Sequence, residues 1–199
     1  VMFLDRILAA IHKAHPEIEP LHINEDGWLE GEGVVRIPSH PSWYYPKLST
    51  PHGDPIAIVC HASATKPGTG VNMAKNRARP RTKDDRPASW HVSVESNSIV
   101  QQAPFHAGCW HAIGQIKGAG PANRVSVGIE LVGFEKGPWP EGQVTNAMRL
   151  WRVLVQSYGI KRSLSMVPHA VIDPARRSDP GKPWMANHAQ AVLDYAYAP

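Results

Sequence analysis

Apolar residues recur at helical spacing in three stretches of the chain. Phe3, Leu4, Ile7, Leu8 and Ile11 predict an amphipathic helix over 2–14, stopped by Pro16. Val144, Ala147, Met148, Trp151, Leu154, Val155 and Tyr158 mark one face of a longer helix over 141–158, with Gly159 placed to end it. Ala189, Val192, Leu193 and Ala196 give a last helix over 185–196. Strand signals lie between the helices. The run IAIVCH, 56–61, is apolar on both faces and so belongs in the centre of a sheet. SWHVSVE and SIVQQA, 89–95 and 98–103, predict a hairpin turning at Ser96-Asn97. RVSVGIELVG, 124–133, alternates, with Val125, Val127, Ile129 and Leu131 on one face and Ser126, Gly128, Glu130 and Val132 on the other. A short strand at 164–168 leads to His169. The intervening stretches read as loops, with a short extended piece at 33–37 and one or two helical turns within 66–87. The expected fold is α/β: a single domain over 21–199 with a central mixed sheet flanked by helices and many loops, preceded by a helical extension over 1–20.

Composition narrows the options. A chain of 199 residues can bury a full core without disulfides or structural metals. Its 16 glycines and 19 prolines fit long ordered loops, because apolar and aromatic residues run through the whole length. A formal charge of +4 suits a polyanionic partner such as nucleic acid or bacterial wall. The densest basic stretch, KNRARPRTKDDRP at 75–87, contains Asp84 and Asp85 and no aromatic residue for base stacking, so no nucleic-acid partner is expected. Two cysteines, Cys60 and Cys109, are too few for a disulfide framework. Cys60 reads as a buried free thiol, with a bridge to Cys109 left open. No stretch is apolar enough to insert in a membrane. Asp5, Arg6 and Lys13 interrupt the N-terminal apolar run, which therefore does not read as a signal peptide; synthesis in the cytoplasm without one is expected.

Three residues suggest chemistry. His61 closes a central strand. His169 follows another, ten positions before Asp179, which sits in the tight turn Asp179-Pro180-Gly181. Two imidazoles and a carboxylate are the donor set of a catalytic zinc, which keeps a fourth position for water. Spacing alone leaves this open, because a strand-end histidine is more often a hydrogen-bonded structural residue. Glu130 adds weight. It is a carboxylate within a strand, its neighbours on the same face are small, and burying it unpartnered is costly. A structural ion pair with an arginine and a general base beside a metal are its two readings.

Six blocks in order carry a family resemblance: DGWLEGEGVVRIPSHPS (26–42), IAIVCHASA (56–64), ASWHVSVESNSIVQQAP (88–104), HAGCWHAIG (106–114), NRVSVGIELVG (123–133) and VPHAVIDPARRSDPG (167–181). The chain resembles the zinc-dependent N-acetylmuramoyl-L-alanine amidases, which include phage lysins, muropeptide-recycling amidases and animal peptidoglycan recognition proteins. The resemblance covers roughly 24–195 and makes 21–199 the catalytic domain. It implies that His61, His169 and Asp179 bind Zn2+ and that Glu130 is the catalytic carboxylate. Arg177 stands where many members keep a transition-state lysine, a departure that preserves charge but not shape. Trp90, His91, Trp110 and His111 match positions lining the substrate groove. The implied partner is bacterial peptidoglycan or its muropeptides. Two settings follow: a lysin acting at the cell wall, toward which the basic charge leans, or a cytoplasmic enzyme recycling anhydro-muropeptides. A non-catalytic peptidoglycan-binding module is the alternative from a different class.

Overall fold

The computed structural model describes residues 20–198. The helix expected over 2–14 lies outside the described residues. The central sheet has six strands: β1 (Val34–Arg36), β2 (Ala57–Ala62), β3 (Val92–Val94), β4 (Ile99–Gln101), β5 (Ser126–Leu131) and β6 (Val167–Pro168). Their spatial order is β6-β2-β5-β3-β4-β1. Only the hairpin β3–β4 pairs antiparallel; the other neighbours are parallel, so the sheet is mixed as expected.

Alternation along the central strands builds two cores. Ile58 and Cys60 of β2, with Val127, Ile129 and Leu131 of β5, face the larger cluster. Ala57 and Val59 of β2 face a smaller one made with Ala112, Ile116, Ala122 and Val167. Val125 leaves the alternation. It ends a one-turn helix, α2 (Ala122–Val125), which follows α1 (Gly70–Lys75) in the chain. The larger core is closed by α3 (Glu141–Tyr158), whose Ala147, Met148, Leu150, Trp151 and Leu154 are buried against the sheet. Each fully buried aliphatic side chain of this kind contributes about 1.5–3 kcal/mol. Gly159 ends α3 in the left-handed region, at φ 61°.

Two polar side chains lock α3 in place. Gln143 donates to the carbonyls of Val94 and Val132, and Asn146 donates to that of Glu95. These carbonyls lie at the carboxyl ends of the strands, so the long helix braces the end where the candidate site forms. The C-terminal stretch differs from the single helix expected. It is two pieces, α5 (Lys182–Asn187) and α6 (Ala189–Ala196), which follow the four-residue α4 (His169–Ile172). The break is at His188, whose φ of −126° leaves helical geometry. Backbone bonds His188 N–H to Trp184 O and Val192 N–H to His188 O bridge it, so the break is a kink. Cys60 and Cys109 are both buried free thiols, so no bridge forms between them. Among the described residues no helix is long and apolar enough to cross a membrane.

Candidate active site

Strand register brings the distant residues together. Glu130 of β5 pairs with His61 of β2 across parallel neighbours, so both side chains leave the same face. Pro168 of β6 pairs with Cys60, which brings the next residue, His169, level with His61 on the other side. Asp179 is tied to His169 by backbone: the Ala170 N–H donates to the Asp179 carbonyl at 3.0 Å. His61, Glu130 and His169 lie at the carboxyl ends of parallel strands, where open α/β sheets place their ligands, and Asp179 reaches them from the turn between α4 and α5.

His61, His169 and Asp179 are buried, and their polar atoms converge. His61 Nδ1 lies 3.0 Å from His169 Nδ1 and 3.2 Å from Asp179 Oδ2; His169 Nδ1 lies 3.1 Å from the same oxygen. If both nitrogens carried hydrogens toward Asp179, those hydrogens would crowd each other. Three lone pairs around one cation remove the conflict. The edges fit: a tetrahedral ion with bonds of about 2.0–2.1 Å separates its ligands by about 3.3 Å. Protonation states agree as well. Burial pushes the His61 pKa down, more than the neighbouring Asp179 carboxylate raises it, which keeps the ring neutral. Burial alone would raise Asp179, but the close approach of the His169 and His61 ring nitrogens overcomes it and holds the carboxyl below the usual range. A neutral imidazole beside a carboxylate is the ligand-competent state.

Glu130 stands beside this trio. Its Oε2 is buried without a hydrogen-bond partner. Burial, reinforced by the negative charge of Asp179, raises its pKa to about 8 against the pull of Arg77 and Arg177. No ion pair to Glu130 forms among the described residues, so the structural ion-pair reading is not what the fold contains. A groove of about 500 Å³ opens over the four residues. Arg177 lines it, exposed, on the turn after α4, and its charge reaches both Glu130 and His61.

Of the aromatic and histidine positions expected in the groove, Trp90, Trp110 and His111 line it. Trp90 is held by an Nε1–H bond to Ser93 Oγ at 2.8 Å, and the Arg77 guanidinium covers its ring at 3.9 Å. Trp110 meets Tyr45 edge-on at 5.1 Å and carries Arg81 over its face at 4.8 Å. His91 is a correction. It is fully buried and outside the groove, and the backbone uses both its ring nitrogens: Gly128 N–H donates to Nδ1, and Nε2–H donates to the Ala107 carbonyl. A substrate has no access to it. Sequence reasoning missed Tyr45 and Asn123, also on the groove wall. Asn123 Oδ1 accepts from the His111 and Ala112 N–H groups, at 2.8 Å each, and shapes the loop that carries His111. Neither has a periodic or motif signal: Tyr45 lies in a two-residue strand paired with Gly108–Cys109, and Asn123 in the single turn of α2, elements too short to show a pattern.

Known proteins share this architecture. The family described as N-acetylmuramoyl-L-alanine amidase matches residues 51–182. The chain is similar to 1,6-anhydro-N-acetylmuramyl-L-alanine amidase AmpD of Escherichia coli (strain K12), with 34% identity over 170 residues, 79% of this chain and 89% of that protein. AmpD of Haemophilus influenzae is 32% identical over 96 residues, 47% of this chain and about half (52%) of that protein's length. Among solved structures, a selenomethionine AmpD derivative superposes with a TM-score of 0.66 at 23% identity, covering 88% of this chain and 99% of that one. A mutant endolysin from Bacillus subtilis superposes with a TM-score of 0.62 at 22% identity, covering 82% and 99%. At those identities the superpositions speak to the fold.

Proposed function

The chain belongs to the N-acetylmuramoyl-L-alanine amidase family, and we propose that it hydrolyses the amide between N-acetylmuramic acid and the L-alanine of the peptidoglycan stem peptide, with zinc held by His61, His169 and Asp179. The observation that carries this reading is the 3.0–3.2 Å triangle of ligand atoms with Glu130 in register beside it. A vestigial binding module would be expected to have lost one corner of that triangle.

Bound there, zinc would acidify water and polarise the scissile carbonyl. Glu130 takes the proton of the attacking water as general base, then delivers it to the leaving alanine nitrogen. Its buried, unpartnered oxygen suits a group that must hold a proton between the two steps. Arg177, exposed on the groove wall, supplies positive charge to the oxyanion that develops at the lactyl carbonyl. Tyr45 and Trp110, half-buried on the groove wall, are the aromatic contacts open to the sugar and the peptide, while Trp90 is buried beneath Arg77.

Two substrates suit this site: intact wall, toward which the basic charge leans, and soluble anhydro-muropeptides, the class for which the AmpD relatives are named. Zinc-loaded protein is incubated with purified sacculi and, separately, with soluble anhydro-muropeptides, and newly freed alanine amino groups are counted. Release from at least one substrate, absent in His169→Ala, is expected. No release from either refutes the proposed activity.

A further inference from the structure

We propose that His111 and Ser126 are positioning residues that fix His61 in the tautomer whose lone pair is on Nδ1, aimed into the trio. This role presupposes the metal-site reading and adds the device that keeps one ligand ready.

The reasoning starts at the end remote from the trio. The Ser126 hydroxyl donates to the Ala122 carbonyl at 2.7 Å. A hydroxyl has one hydrogen, so toward His111 Nε2, at a longer 3.4 Å, Ser126 Oγ can only accept. His111 therefore carries its hydrogen on Nε2. A neutral imidazole has one N–H, so His111 Nδ1 is a lone pair. That atom lies 3.1 Å from His61 Nε2, and one of the two nitrogens must donate. His61 Nε2 is thus the N–H. The bare Nδ1 is left as the corner lying 3.0 Å from His169 Nδ1 and 3.2 Å from Asp179 Oδ2. The Ala122 carbonyl cannot donate, so the relay has a single polarity. A ligating histidine held through its other nitrogen is a recurrent way to fix ring orientation and raise basicity.

Packing holds the relay still. The His61 and His111 rings meet edge to face, with centroids 5.3 Å apart and planes at 87°. The His111 ring lies over Gly128, where any Cβ would overlap it. The same small residues that leave room beside Glu130 on β5, Ser126 and Gly128, therefore serve His111: one as its acceptor, the other as its seat.

The test pairs two readouts. The ring-nitrogen 15N shifts of His61 are measured in metal-free protein, and zinc affinity is measured by competition with a chromophoric chelator. The parent should show His61 protonated at Nε2. His111→Phe fills the space without hydrogen bonds; it should lose that tautomer bias and weaken zinc binding by about 10–100-fold. His111→Gln keeps an acceptor toward His61 and a donor toward Ser126, and should recover most of the affinity. Ser126→Ala should weaken zinc in the same direction by less, and it carries the test if His111→Phe does not fold. A metal-free parent with the hydrogen on His61 Nδ1 overturns the relay. So does unchanged zinc affinity in both His111→Phe and Ser126→Ala. A parent that binds no zinc overturns the metal-site reading instead, and the 15N shifts still decide the relay.

Discussion

Glu130→Gln should stabilise the metal-free protein in a pH-dependent way while abolishing turnover. In the folded chain the Glu130 Oε2 is buried, and burial with the negative charge of Asp179 raises its pKa from 4.5 to about 8. In the unfolded chain it ionises near its ordinary value. Below that value the group is protonated in both states and takes nothing from stability. As pH rises through the window from 4.5 to about 8, the unfolded chain releases the proton and the folded chain keeps it, so stability falls. The slope is about 1.4 kcal/mol per pH unit, which sets a ceiling of roughly 5 kcal/mol over the window. Water in the groove lowers this, and a gain of at least ~2 kcal/mol for the variant over the parent between pH 5 and pH 9 is expected. Urea denaturation of chelator-treated parent and variant at several pH values measures it, and taking the difference cancels all titrations the two share. The zinc-loaded variant should keep its metal and lose hydrolysis, a trade of stability for function. A stability difference that does not change with pH would refute the burial argument. Adding zinc should move the parent's window to lower pH, because a nearby dication favours the carboxylate.

Three further outcomes follow from the same geometry. Arg177→Ala should leave zinc affinity unchanged and slow kcat by two to three orders of magnitude, about 2.7–4 kcal/mol, with Arg177→Lys falling between; steady-state assays on muropeptides check this. Zinc should raise the unfolding free energy of the parent by about 4 kcal/mol at a free concentration 1,000 times Kd, and by nothing comparable in His169→Ala, as read by thermal melts with and without metal. Gly159→Ala, at a φ of +61°, should cost roughly 1–2 kcal/mol in denaturation while sparing activity, since the residue caps α3 far from the groove chemistry.

The sequence declares much of this fold because its signals are local. The α3 stripe from Val144 to Tyr158, closed by Gly159, matches the helix to the residue. The run at 56–61 forms the central strand at Ala57–Ala62. Where signals come from tertiary contact, the reading blurs. The expected hairpin is longer than β3 and β4, because at Ser89 the backbone turns to pair with Trp110. The C-terminal helix kinks at His188, with no glycine or proline there to announce it. The site divides in the same way. His61, His169, Asp179 and Glu130 were legible as residue types at strand ends and were assigned through the family resemblance. His91 was misplaced because a matched block gives the position of a side chain but not the direction it faces; here it turns inward to the backbone of Gly128 and Ala107. The relay from His61 to Ala122 depends on which atom donates to which, and no spacing in the chain encodes that.

The central claim is that two imidazoles and one carboxylate grip zinc, and X-ray absorption at the zinc edge of the purified protein tests it most directly. One ion per chain is predicted, surrounded only by nitrogen and oxygen at about 2.0–2.1 Å, and lost in His169→Ala. Failure to retain zinc would contradict the account, and so would a sulfur neighbour at about 2.3 Å, which would mean that Cys60 or Cys109 had taken the place of Asp179.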